Sequence, residues 1–301
     1  MNMKIGSSET TREAPDTIQT SEIVIVKKFS FNEYISPEHK KNNNFSFLEW
    51  FVGFSEGNGC FCSRIADTRA RLSFEIVQKD AKLIYKIRTT LGFGQVSFFA
   101  RNNQTYYKYA VESKQGIQRI MLLFNGNFVL PKKYVQFIRW ITVGKAVCPP
   151  NFSLKKQRVQ VSLQTGWLAG FIEAEGCFYA NFQKTNSNSG HFSLNQKLTI
   201  TQKDTHGESL VLQDILVLFE NLGKLHIAKK PDCYRIHFDS LKSQTIIVSY
   251  LKQFPLLGKK KIAFLRWWRI YLRRQKPEEK PISLKTIEKL KKLCSMINRG
   301  E

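Results

Sequence analysis

The chain has 301 residues, with 47 Lys and Arg against 24 Asp and Glu, a formal charge of +23. Hydrophobic residues make up 42% and aromatics 13%, enough for a core, so the charge marks an anionic partner, nucleic acid first and a membrane surface second, rather than disorder. No run of ~18 apolar residues offers a transmembrane helix, the opening residues have neither the apolar stretch of a secretory signal nor the acid-poor composition of a transit peptide, and six Cys without a CxxC pair, beside five His, argue against a zinc cluster or disulfide framework.

In chain order, residues 1–44 are rich in Ser, Thr and Asn and predict a loosely ordered polar arm. Residues 47–57 predict a helix that is apolar nearly all round, with Gly53 and Gly57 on one side; a helix without a polar face is buried on several sides. Leu72, Phe74 and Ile76 then alternate with Arg71, Ser73 and Glu75, the period of a strand. Residues 81–92 predict an amphipathic helix closed by Gly92, followed by strands at 94–100 and 106–112 and helices at 114–124 and 131–145. Pro149-Pro150 opens a basic linker, 148–163.

The same series then returns. A helix at 164–174 carries Gly166 and Gly170, and Leu198 and Ile200 alternate with Lys197, Thr199 and Thr201. A helix at 208–223, strands at 225–229 and 233–239, and helices at 240–253 and 257–274 follow. Beyond KPEEKP, residues 282–297 predict a last amphipathic helix, with Ile287, Leu290 and Leu293 on one face.

This return is a true repeat. WFVGFSEGNGCF (50–61) answers WLAGFIEAEGCF (167–178), FEIVQKD answers LTITQKD, YKYAVES answers YRIHFDS, and Lys133-x₃-Phe137-x₂-Trp140 answers Lys260-x₃-Phe264-x₂-Trp267. The blocks keep their order while the offset drifts from 117 to 127 residues through loop insertions. The sequence therefore predicts an α+β fold: two pseudo-symmetric αββαββα units with antiparallel sheets, at 45–147 and 164–275, then a helical extension at 276–301. Small residues on both all-apolar helices predict that these pack together about a pseudo-twofold axis. Glu56, Glu173 and Glu175 stand at the helix C-termini, the negative ends of the dipoles, where a divalent cation would balance them.

LAGFIEAEG (168–176), with FVGFSEGNG (51–59) as a weaker copy, resembles the nine-residue signature of the LAGLIDADG homing endonucleases, and the similarity covers roughly 45–300. Two motifs in one chain imply the monomeric form and a DNA-binding saddle. The resemblance implies a site-specific DNA endonuclease that uses Mg²⁺ or another divalent cation on double-stranded DNA. Its eighth motif position supplies the metal-binding carboxylate: Glu175 in one copy, but Asn58 in the other, which departs from the pattern. Glu56 cannot replace it, because two residues along a helix is about 200° of rotation. Gln78 and Gln202 match the polar residues that orient water, and Lys133 and Lys260 match the active-site lysine.

With an uncharged Asn58, the expectation is weak metal binding and slow, strand-nicking or absent double-strand cleavage. The alternative on the same fold is an intron maturase, or another DNA- or RNA-binding protein, that does not cut. Strand alternation nominates an outward reading set of Arg64, Arg71, Ser73, Glu75 and Lys108, with Tyr179, Asn181, Gln183, Lys197, Thr199, Thr201, Arg235 and His237 in the second unit. Basic stretches such as KKQR (155–158) would position the phosphate backbone. The resemblance also implies an organelle-encoded protein of a mitochondrion or chloroplast.

Overall fold

A computed structural model describes residues 23–40, 44–66, 69–184, 192–228, 232–275 and 284–298. Helix α1 (Phe45–Asn58) starts where the Asn44 side chain accepts from Phe47 N at 3.0 Å. Every residue from Trp50 to Glu56 is buried, as a helix without a polar face requires. At Gly59 the backbone turns extended and runs directly into β2 (Gly59–Ala66). A Cβ on Gly59 would lie 2.7 Å from Ser55 O, so the pivot needs glycine. The second copy repeats this: α5 (Trp167–Glu175) passes through Gly176 into β7 (Gly176–Lys184), and a Cβ there would lie 2.7 Å from Ile172 O.

The first sheet adds β3 (Arg69–Gln78), β4 (Gln95–Arg101) and β5 (Gln104–Val111) in the order β2-β3-β5-β4, all antiparallel. The second adds β8 (Phe192–Lys203), β9 (Lys224–Ile227) and β10 (Cys233–Phe238) in the matching order β7-β8-β10-β9. Leu72, Phe74 and Ile76, and Leu198 and Ile200, point into the core as their alternation predicts. Helices α2 (Ala81–Leu91) and α6 (Glu208–Leu218) back the sheets. Each unit then closes on two helices, as expected: α3 (Lys114–Phe124) with α4 (Pro131–Val143), and α7 (Leu241–Gln253) with α8 (Lys260–Arg274). Helix α9 (Leu284–Met296) packs beside β7, where Asn298 Nδ2 donates to Phe178 O at 3.0 Å.

The fold departs from expectation in two places. Helix α2 ends at Gly92 with φ 80°, but α6 stops at Leu218, short of Gly223. Glu220 and Asn221 take the left-handed conformation instead, both at φ 55°, and Gly223 is reserved for the Phe238 ring, 2.7 Å from where its Cβ would be. The arm and linker, expected as loose surface segments, hold each other: β1 (Val24–Val26) pairs in parallel with β6 (Gln157–Val159). Phe31, Tyr34, Val159 and Val161 are buried. Asn127 donates to Ser30 O at 2.7 Å and accepts from Ser30 N at 2.9 Å, so a side-chain amide acts as a strand partner. Residues 1–22 of the arm and the KPEEKP segment lie outside the described residues.

Candidate active site

The two motif helices meet backbone to backbone. A Cβ on Gly53 would fall inside contact distance of Trp167 O, and one on Gly170 inside contact distance of Trp50 O. Each contacted residue lies three positions before the opposite glycine, so the contacts are reciprocal, as a twofold axis demands. One turn further on, a Cβ on Gly57 would collide with Ala174 and lie 3.2 Å from Glu175 Oε1. The crossing therefore brings Asn58, the last residue of α1, beside Glu175, the last residue of α5.

The other two motif acids do a different job: backbone N–H groups, rather than a divalent cation, meet them. Glu56 is buried; its Oε1 accepts from Val129 N at 2.9 Å and Leu130 N at 2.8 Å, and its Oε2 from Trp167 Nε1. Burial pushes its carboxyl up to about 8, against the pull of these donors and Lys133. Glu173 Oε2 accepts from Leu257 N at 2.7 Å and Gly258 N at 3.2 Å. Each carboxylate thus fixes the loop that enters a lysine-bearing helix, α4 or α8. Glu56→Gln keeps the volume but sets an amide donor against buried N–H groups. It should cost about 1–3 kcal/mol in denaturant unfolding; an unchanged midpoint would refute this role.

The lysines sit where the repeat puts them. Lys133 is 9% exposed and donates from Nζ to Gly59 O, beside Asn58. Lys260 donates to Ile172 O at 3.3 Å and Ala174 O at 3.4 Å, beside Glu175. Both amines complement the negative helix ends. Burial lowers Lys133 from the ordinary lysine value, with Cys60 opposing. Burial raises Glu175, while Lys260, Lys133 and Lys132 pull it back.

Gln78 and Gln202 end the inward rows of their strands, opposite Tyr107 and Tyr234. Gln78 lines a cleft of about 300 Å³ with Asp80, Tyr106, Ala174, Lys259 and Lys260. The sequence pattern does not nominate Asp80 or Glu208. Asp80 Oδ2 accepts from Lys259 N at 2.7 Å, and Glu208 Oε1 accepts from Lys132 N at 2.8 Å. Asp80 has a local signal, since it caps α2 through Leu83 N at 3.3 Å, but nothing local points to its bond with Lys259, 179 positions on.

The donor set fits a hard cation. Mg²⁺ takes one or two carboxylates and completes its shell with water and phosphate oxygens. Glu175 could supply the carboxylate and Asn58 an uncharged amide oxygen, and no cluster of three or more His, Cys, Asp or Glu ligands occurs among the described residues.

Apart from Gln183, for which only the register is described, the residues nominated to read bases lie on the outward faces of the two sheets. Arg64 stands opposite Arg71, with Ser73 and Glu75 following on β3, where Lys108 Nζ is 3.7 Å from Glu75 and Ser73 Oγ donates to it at 3.1 Å. On the second sheet Tyr179 faces Lys197, whose amine lies over its ring at 5.3 Å. Asn181 faces Asn195, and Gln183 holds the register position opposite Ser193. Thr199 stands opposite His237, and Arg235 donates to Thr201 Oγ1 at 3.1 Å. Burial holds His237 below its ordinary value against Asp239, which favours the neutral ring near neutral pH.

Comparison with known proteins agrees with this geometry. Residues 51–143 and 168–271 match the family model described as LAGLIDADG endonuclease. The chain is 31% identical over 227 residues to probable intron-encoded endonuclease 4 of Neurospora crassa, covering 75% of this chain and 40% of that protein. It is 26% identical over 204 residues to the intron-encoded RNA maturase bI4 of Saccharomyces cerevisiae, covering 66% and 29%. The chain thus spans less than half the length of these two relatives. The LAGLIDADG meganuclease I-AabMI, solved with uncleaved DNA, superposes with a TM-score of 0.67 at 21% identity, over 84% of this chain and 99% of that one. The I-LtrWI homing endonuclease, solved on target DNA, gives 0.67 at 19% identity, over 86% and 100%. With the motif twice, the helices paired through it and the family model matched on both halves, the chain belongs to the LAGLIDADG endonuclease family.

Proposed function

We propose that this chain is a site-specific homing endonuclease that acts as a monomer on a long, asymmetric double-stranded DNA target and hydrolyses phosphodiesters with a divalent metal. The observation that carries the reading is the crossing that sets Gly57, next to Asn58, against Glu175 at the paired helix ends, with a lysine at each end. Glu175, with the amide oxygen of Asn58, would hold the metal, which when bound supplies charge neutralisation and an acidified water. Lys133 and Lys260 stabilise charge on the phosphate, and Gln78 and Gln202 orient water. The sheets' outward residues read bases, while Lys and Arg elsewhere bind the backbone, so affinity falls steeply with salt. No helix among the described residues is long and apolar enough to cross a membrane.

Asn58 removes one negative charge from the site, so the two strand-cutting centres are unequal. Asn58→Asp should raise Mg²⁺-dependent double-strand cleavage by about tenfold or more. The check is cleavage of the joined-exon duplex, scoring nicks and breaks separately. Equal rates for the two proteins would remove Asn58 from the mechanism, and absence of cutting by both would remove the nuclease reading. The second reading, a maturase that binds intron RNA without cutting, is supported by Asn58 and by the similarity to the yeast maturase. Splicing of the host intron with and without protein tests it. Relatives named as intron-encoded support an organellar gene, and the mitochondrion is favoured by a similar protein named as mitochondrial.

A further inference from the structure

Each lysine-bearing helix begins on a carboxylate from the other unit. Asp80 of the first unit holds Lys259 N, and Glu208 of the second holds Lys132 N. The two bridges match in space but not in sequence. In the second QKD block Asp204 turns onto its own loop, accepting from Gly207 N at 2.8 Å, Glu208 N at 3.2 Å and Ser209 N at 3.2 Å. The bridging role passes to Glu208, four residues on. Both bridging carboxylates are buried, Asp80 at 9% and Glu208 at 0% exposure, a desolvation cost that only their donors offset. Asp80 Oδ1 is occupied by Leu83 N, and Glu208 Oε2 by Thr205 N at 2.7 Å and His206 N at 3.0 Å. In each case the remaining oxygen is committed to the far unit.

A carboxylate at a helix N-terminus faces the positive end of the dipole and fixes where the first turn begins. Here the first turn holds Lys133 or Lys260. Their amines already reach the motif helix ends, so any shift of the helix start moves the charge relative to the phosphate.

We propose that Asp80 and Glu208 are positioning residues, each setting from the opposite unit the lysine of one strand-cutting centre, and so governing the cutting of one DNA strand. Asp80 sets Lys260 and Glu208 sets Lys133. Neither lysine is placed until both units have docked, which ties cutting competence to assembly. The proposal rests on the nuclease reading.

Two variants separate this role from general loosening. Asp80→Asn retains an oxygen for Leu83 N but turns an amide donor toward Lys259 N. Glu208→Gln retains one for Thr205 and His206 N but turns a donor toward Lys132 N. Rates are read on a joined-exon duplex labelled separately on each strand, in Mg²⁺, in the chain and in its Asn58→Asp variant. Asp80→Asn should slow one strand by about ten- to a hundredfold and leave the other within about twofold, and Glu208→Gln should slow the opposite strand. Equal slowing of both strands, or no slowing, overturns the proposal. Amide hydrogen exchange supplies a readout without cleavage: Asp80→Asn should speed exchange at Lys259 alone and Glu208→Gln at Lys132 alone. Unaltered exchange at both amides overturns the proposal too. A chain that cuts neither strand counts against the nuclease reading instead, and the exchange result then decides the positioning role.

Discussion

Glu175→Gln should abolish metal-dependent strand cleavage, by about 10³-fold or more, while leaving DNA affinity within about threefold. The size of the effect follows from the charge count at the centre. Glu56 gives both oxygens to N–H donors, Glu173 gives its Oε2, and position 58 is an amide, which leaves Glu175 as the carboxylate of the proposed metal site. Gln is isosteric, so packing against Gly57 and Ala174 is preserved. Removing a negative charge beside three lysines cannot weaken attraction to DNA. Single-turnover cleavage in Mg²⁺ and fluorescence anisotropy without divalent metal measure the two quantities. Residual cleavage within tenfold of the parent would show that Glu175 is not the metal-binding residue.

The second large effect belongs to the helix seam. Gly170→Ala adds one methyl group where the Trp50 carbonyl already stands. The neighbour is main chain, which cannot rotate away as a side chain would, so the helices must separate. Overpacking of this kind costs about 3 kcal/mol or more. Thermal unfolding should fall by several degrees, and cleavage should fall with it because Asn58 and Glu175 move apart. Gly53→Ala should behave alike, its Cβ meeting Trp167 O. A melting temperature unchanged by either substitution would mean that the helices do not cross at these glycines.

The legible parts of this protein are those with short-range physical signatures. Alternation at Leu72-Phe74-Ile76 gave the inward face, the small-residue side of an all-apolar helix gave the seam, and duplication gave the pairing of units. Bonds between distant positions left no such trace. Asp80 and Glu208 act over 179 and 76 positions, and no local period encodes that. Glu56 shows a related limit: a carboxylate near a cation site and one that holds a loop are the same residue type at the same helix end. The polar composition of the arm predicts a loose segment, yet its Phe31 and Tyr34 are buried and Asn127 of the first unit pairs with the Ser30 backbone. The Glu220-Asn221 helix stop leaves no clear sequence signal, because Gly223 offers a closing residue three positions later.

The backbone contact between α1 and α5 also has a consequence in time. The two glycines that admit it, Gly53 and Gly170, are 117 residues apart. At roughly 5–20 residues per second, α1 leaves the ribosome about 6–23 s before the helix it must meet. Through that interval the apolar side of the first motif, including Trp50 and Phe54, has no partner to cover it.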